Sequence, residues 1–428
     1  MKYQQKELKK GVKLHTIDTE KFKTNLIAVL LTTKLTRENV TKNAVISAIL
    51  RRGSKTMPSQ EEISKQMEEM YGASFDCGLD KRGDNQVLKF YIETVRDEFL
   101  PQKGEKLLKT SIEKILDIVL NPYVETDENG NKKFKTEYVE QEKNNISQII
   151  DGKIDNKARY AIERCTEEMY PNEPFGLYRF GYKEDLEQMD AINLYNYYLQ
   201  LIDSCKIDIF ISGDNGEDTD NIVTENQNIQ KLKERTPDFI VPKELNKELP
   251  EKENTVTESM EVTQGKLIVG LNVSLENEDM TYDALIYNSI LGGSANSKMF
   301  QNVREKAHLA YVASSSYLKY KNNIFVNCGI EIGNYEKAVK LVKEQIEDMK
   351  KGNFTEEDIE NAKKGIIATI KTIEDEQDTQ ITYYFGQELI QSKISIDDYK
   401  NRIEKIKKED IVNVAKNVAI HTIYFLKD

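Results

Sequence analysis

Histidine is scarce in this chain: of 428 residues only His15, His308 and His421 carry imidazoles. No two of them stand four positions apart, so no helix can offer the paired imidazoles that grip a metal ion from one face. Cysteine does not fill the gap. Cys77, Cys165, Cys205 and Cys328 form no C-x-x-C pair, which excludes a close-spaced thiolate zinc site; in a reduced compartment they read as small buried hydrophobes. Long apolar runs are missing as well, and the stretch Leu26 to Leu31 is far too short to span a bilayer. The opening MKYQQKELKK is basic, with neither an apolar signal core nor a small-residue cleavage site behind it, so a cytoplasmic location is expected and no membrane partner. Positive charge is not in excess either. A net charge of −12 disfavours phosphate backbones, so no nucleic acid is expected, and the basic run Lys103 to Lys109 reads as a solvated helix face.

What is present is an ordinary globular composition, 39% apolar and 31% charged, with two stretches built on one plan. The first stretch opens with β segments at Val12–Thr16 and Leu26–Thr33. Helices follow at Lys42–Arg52, ending at Gly53, and at Ser59–Met70, opened by Pro58 and stopped by Tyr71-Gly72. Strands at Ala73–Leu79 and Gln86–Glu93 lead to an amphipathic helix at Lys103–Leu120. The second stretch repeats this order. A strand at Lys266–Ser274 precedes a helix at Tyr282–Leu291 that ends on Gly292-Gly293. A further helix at Ser297–Lys306, strands at Tyr311–Leu318 and Ile324–Ile332, and an amphipathic helix at Tyr335–Lys350 complete it. The next helix start echoes between the stretches, with Thr136 and Thr355 each set as N-cap before a Glu-rich first turn.

Residues from about Gly216 to Thr257 are polar, carry Pro237, Pro242 and Pro250, and lack apolar periodicity, which is a linker signature. Strands at Ile207–Ser212 and Val418–Leu426 close the two stretches. The fold class expected is α+β: two homologous domains, residues 1–225 and 258–428, joined by a linker at 226–257. Each is an antiparallel-rich β-sheet packed against several α-helices.

Two segments carry chemistry. One is the helix exit Leu50-Arg51-Arg52-Gly53-Ser54. The other runs from Leu291-Gly292-Gly293-Ser294 through Met299-Phe300 to Val303-Arg304-Glu305 and Leu309-Ala310-Tyr311. Taken with the duplicated order of elements, they resemble the insulinase/pitrilysin family, which includes the mitochondrial processing peptidase subunits. In active members of that family, H-x-x-E-H on the first helix supplies two zinc-binding His and a general-base Glu, and a later helix supplies another Glu ligand. Aligned through the helix exit, those positions fall here on Ala44, Ser47 and Ala48, and the later one on Ile149; a shifted register brings Glu142 or Glu140 near. The resemblance thus implies a non-catalytic subunit that binds no cofactor itself and pairs with a homologous zinc-bearing peptidase subunit.

The second segment resembles the family's signature of a Gly-Gly turn followed by L-F-x-x-V-R-E-x-x-G-L-A-Y. The resemblance implies that Gly292 and Gly293 contact substrate, and that Arg304 and Tyr311 reach in trans toward the partner's zinc cleft. There the cationic fork and the phenol suit a carbonyl gaining negative charge. His308 stands where the family has Gly. By spacing alone, Arg304 and Tyr311 also fit a salt-bridged helix residue followed by a core aromatic. The expected ligand is an extended peptide added to a sheet edge, with Ala73–Leu79 as the candidate edge. The alternative is a structural or peptide-binding scaffold on the same fold, without a role in proteolysis.

Overall fold

The computed structural model describes residues 2–214, 216 and 218–428. The chain divides into two compact units, and neither is continuous in sequence. Unit 1 comprises residues 1–151, 177–241 and 373–389; unit 2 comprises 152–176, 242–372 and 390–428.

Unit 1 is built on a six-stranded sheet. Its strands are β1 (Lys2–Lys9), β2 (Val12–Asp18), β3 (Thr24–Lys34), β4 (Ser74–Arg82), β5 (Asn85–Val95) and β6 (Lys206–Gly213). Their spatial order is β1-β2-β6-β3-β5-β4, antiparallel throughout except for the parallel pair β2/β6. β3 is a continuous apolar run rather than an alternating one because both of its faces are covered. Ile27, Val29 and Leu31 enter the larger core with α1 (Val40–Leu50), α2 (Gln60–Glu69), α3 (Leu107–Leu120), α4 (Thr136–Asp151) and a later helix at Ala191–Ser204. Leu26, Ala28 and Leu30 face the other way. They meet Ile381, Phe385 and Leu389 of Gln377–Leu389, a helix contributed by the second half of the sequence. Burying Ile381, Phe385 and Leu389 here is worth roughly 2 kcal/mol each.

Unit 2 repeats the design. Its strands are β7 (Asn254–Ser259), β8 (Gly265–Val273), β9 (Ala310–Leu318), β10 (Asn323–Ile330) and β11 (Val418–Lys427). They stand in the order β9-β10-β8-β11-β7, with only β11/β7 parallel. Leaving out β1, this is the order and sense of the first sheet. Here the helix against the sheet is α5 (Lys157–Met169), from the first half of the sequence; Ala161, Cys165 and Met169 pack on Ile268, Phe325 and Tyr424. Gly270 in β8 lets α5 approach, since a Cβ there would lie 2.3 Å from the Met169 sulfur. Each unit therefore contains one helix supplied by the other half of the chain.

Several expected boundaries move. The expected linker holds a short helix at Gln227–Lys231 and the start of β7, so only residues 232–253 lack helix and strand. α3 begins four residues later than expected, beyond Gly104, whose φ of +91° no helix accommodates. Ser59 caps α2 by accepting from the Glu62 N–H at 3.2 Å, so Pro58 lies outside that helix. Thr355 caps its helix as expected, accepting from the Asp358 N–H at 3.1 Å, but Thr136 is already the first helical residue of α4. Cys165, Cys205 and Cys328 are buried, whereas Cys77 is half-buried. Among the described residues no helix is long and apolar enough to cross a membrane.

A buried polar cluster joins the first sheet to the helix Gln377–Leu389. His15 Nε2 lies 2.9 Å from Asp208 Oδ1 and its Nδ1 lies 2.8 Å from the Tyr3 hydroxyl. Lys206 pairs with Asp208 and lies 3.1 Å from Glu388, which also accepts from Lys13 at 2.7 Å. Burial alone would raise the Asp208 pKa, but the charge of Lys206 and the hydrogen bond from His15 outweigh it and hold it at about 2. That lies below the ordinary carboxylate value, so the pair's stabilisation is present above about pH 4 and is lost as pH falls toward 2. We expect Asp208→Asn to cost about 3 kcal/mol near neutral pH by leaving the buried Lys206 ammonium short of a partner. Urea titrations should show the deficit against wild type narrowing below about pH 4.

Candidate functional site

α1, the helix that the resemblance aligns with the family's metal-binding helix, is built for packing. Ala44 and Ser47 are buried, Ala48 is half-buried, and Val45, Ile46 and Ile49 complete a nearly all-round apolar helix. A methyl group has no lone pair to give, and one Ser hydroxyl does not make a tetrahedral set. α1 packs against α4, where Ile149 is 42% exposed. The carboxylate available here is Glu142, seven residues earlier on α4. It is buried and already engaged: Arg52 at the end of α1 forms an ion pair with it, and Asn145 Nδ2 donates to it at 3.1 Å. A guanidinium thus takes the charge of this carboxylate. Among the described residues, no three His, Cys, Asp or Glu side chains are grouped to hold a metal. The residues present do not fit zinc.

The other segment lies in unit 2. A helix at Met280–Asn288 widens into a π-helical turn at Ser289–Gly293, and a second π-helical stretch covers Met299–Lys306. The sequence predicts helices at Tyr282–Leu291 and Ser297–Lys306, with Gly292-Gly293 as a turn, so the wider winding is not anticipated. The widening is visible in the Ala307 N–H, which reaches back five residues to the Asn302 carbonyl at 3.2 Å. Gly292 is buried with its backbone against β9, where a Cβ would lie 2.5 Å from Ser315 N. The Ser315 hydroxyl donates to Asn288 Oδ1 at 2.8 Å, fastening the helix to the strand. Gly293 is exposed beside it.

Met299 and Val303 turn inward from the second π-helical stretch, and Arg304 turns outward. Its guanidinium stands 4.5 Å from the centre of the Phe300 ring, with its Nε 3.4 Å from Glu305. His308 follows with φ +52°, the left-handed conformation that glycine adopts without cost. The turn thus has a backbone shape that suits Gly, although the residue here is His. β9 then begins with a bulge: Ala310 and Val312 pair with Ile330 and Gly329, leaving Tyr311 as the extra residue. Bulges re-aim side chains, and Tyr311 is 65% exposed, so it is not a core aromatic. Arg304 and Tyr311 thus leave consecutive elements, both toward solvent. Sequence reasoning assigned no role to Phe300, Asn288 or Arg52; the first two stand within or beside the quoted signature.

The remaining expected surface is the edge strand. β4 ends the first sheet, so one of its sides has no strand partner. A small hollow of about 270 Å³ opens between it and α2, lined by Arg51, Ile63, Met67, Phe75 and Cys77 among others. A larger groove of about 1270 Å³ lies along α3, where Lys106, Lys109 and Lys114 alternate with Asp97, Glu98 and Glu113. Its mixed signs do not make a uniform basic patch.

Comparison with known proteins accords with this geometry. The chain is 33% identical over 418 residues to the "Probable inactive metalloprotease YmfF" of Bacillus subtilis (strain 168), covering 97% of this chain and 96% of that one. It belongs to the peptidase M16 (insulinase-like) family. Residues 189–366 match the family description "Peptidase M16 inactive domain". An "Uncharacterized zinc protease YmxG" from the same organism is 22% identical over 166 residues, 38% of this chain and 41% of that one. Among solved structures, a conserved protein from Enterococcus faecalis V583 superposes with a TM-score of 0.89 at 26% identity, over 99% of this chain and 98% of that one. A protease from Helicobacter pylori shares the fold, with a TM-score of 0.78 at 16% identity over the whole of both chains. The protein is an inactive M16 member.

The left-handed turn yields a test. His308→Gly should leave stability unchanged or raise it by up to about 1 kcal/mol, whereas His308→Val should lower it by about 1–2 kcal/mol. Thermal unfolding of the two variants beside wild type measures both.

Proposed function

We propose that this protein is the non-catalytic subunit of a two-chain M16 peptidase. It contributes Arg304 and Tyr311 to the cleft of a homologous, zinc-bearing subunit during peptide or protein processing in the cytoplasm. One contrast carries the reading. The metal-motif positions are filled by Ala44, Ser47, Ala48 and Ile149, while the Arg/Tyr segment keeps its Gly-Gly turn, its turn conformation and two outward side chains. A scaffold freed from proteolysis has no need of an exposed Arg and Tyr on consecutive elements.

In this reading zinc would be held by the partner and would supply Lewis-acid chemistry there. This chain's residues position the substrate and stabilise charge. Arg304 offers a cationic fork and Tyr311 a neutral phenol to the oxygen that becomes negative. Gly293, exposed beside the buried Gly292, lets the backbone come close to the peptide. The free side of β4 supplies main-chain groups for an extended substrate to join as a further strand.

Hydrolysis of a quenched-fluorescent peptide library should appear when this chain is mixed with a zinc-bearing homologue from the same cell, and be minor with either alone. Arg304→Ala should reduce turnover of the mixture on the order of 100-fold, and Tyr311→Phe somewhat less, with assembly intact by gel filtration. Undiminished turnover in both variants would favour the scaffold.

A further inference from the structure

Arg304 is the residue on which the in-trans reading most depends, and a long, half-exposed side chain is a poor catalyst unless something holds it. The second π-helical stretch supplies the support. Its inner face is fixed by buried Met299 and Val303. Its flank is fixed by Asn302, whose Nδ2 donates to Gln345 Oε1 at 2.6 Å, and by Lys298, whose ammonium donates to the Asn353 carbonyl at 2.9 Å. Both acceptors belong to the helix Tyr335–Lys350 or to the turn just after it. On this anchored segment Phe300 and Arg304 stand four residues apart on the outward face, with the guanidinium carbon 4.5 Å from the ring centre. Phe300 is half-buried, so its ring is a fixed platform rather than a second mobile group. The only ion pair of Arg304 among the described residues is with Glu305, at 3.4 Å and half-exposed, which is too loose to set the direction of the fork.

We infer that Phe300 is a positioning residue: its ring face holds the Arg304 guanidinium in the orientation from which it donates to the substrate oxygen. The inference rests on the in-trans reading and specifies what makes that contact directional. Stacking on an aromatic face restricts the plane of a guanidinium while leaving its edge donors free. The platform must therefore be a ring, since aliphatic bulk of similar size fills the space without fixing the plane.

The test uses the assembled complex and the isolated protein. Phe300→Tyr should keep turnover within about twofold of wild type. Phe300→Leu, which preserves the apolar bulk, should lower kcat about fivefold to tenfold with KM little changed. In the isolated chain, 15N relaxation of the Arg304 Nε–H should show an ordered guanidinium in wild type and Phe300→Tyr and a mobile one in Phe300→Leu. Full turnover in Phe300→Leu, where Arg304→Ala is strongly impaired, would overturn the positioning role and leave the in-trans reading standing. Unimpaired Arg304→Ala would overturn the in-trans reading and this inference with it. An equally ordered guanidinium in Phe300→Leu would refute the platform whatever the kinetics.

Discussion

A helix binds a divalent ion only if ligand atoms project from one face at the spacing of its turns, and α1 projects methyl groups there instead. The rest of the account depends on that substitution. Without ligands to orient, α1 has become a packing element, apolar on nearly all sides, and its junction with α4 is held by the Arg52–Glu142 ion pair. A cation carried by the chain itself balances a carboxylate that would otherwise be buried alone. A buried charge left without a partner costs several kcal/mol, so the Arg52 guanidinium is what allows Glu142 to sit buried in this junction.

The fold around this helix is conserved in plan. Each unit has a five-strand core with the same order and sense, and each has its sheet covered by a helix from the other half of the sequence. That arrangement explains why β3 and β8 are apolar on both faces and why Gly270 lies beneath α5. It also explains why the Asp208 cluster reaches a residue as distant in sequence as Glu388. The second unit spends the same framework differently. Two π-helical turns, a left-handed His308 and a bulge at Tyr311 follow one another within about twenty residues, and each departs from regular geometry in a way that turns a side chain or backbone outward.

Much of this was legible in the sequence. The apolar stripe of Tyr335–Lys350 is strict enough to place that helix to the residue, and the repeated order of strands and helices is readable from the sequence pattern. What escaped has physical reasons. β1 and β7 are edge strands rich in Lys, Gln, Thr and Glu, and without a buried face they show no periodicity to read. The exchange of helices between units left no mark, because an amphipathic stripe says that a face is buried and not against what. The π-turns follow from backbone widening that no residue type announces. Three histidines are enough to exclude an i,i+4 imidazole pair, whereas the Arg52–Glu142 pair spans ninety residues and is visible only in three dimensions.

The most direct measurement is the zinc content of the purified single chain, expressed in zinc-supplemented medium and analysed by plasma mass spectrometry. Far less than one zinc per chain, unchanged when Glu142 is replaced by Gln, is the result expected of a helix without ligands. Stoichiometric zinc held by unit 1, removed by a chelator together with peptide hydrolysis by this chain alone, would contradict it.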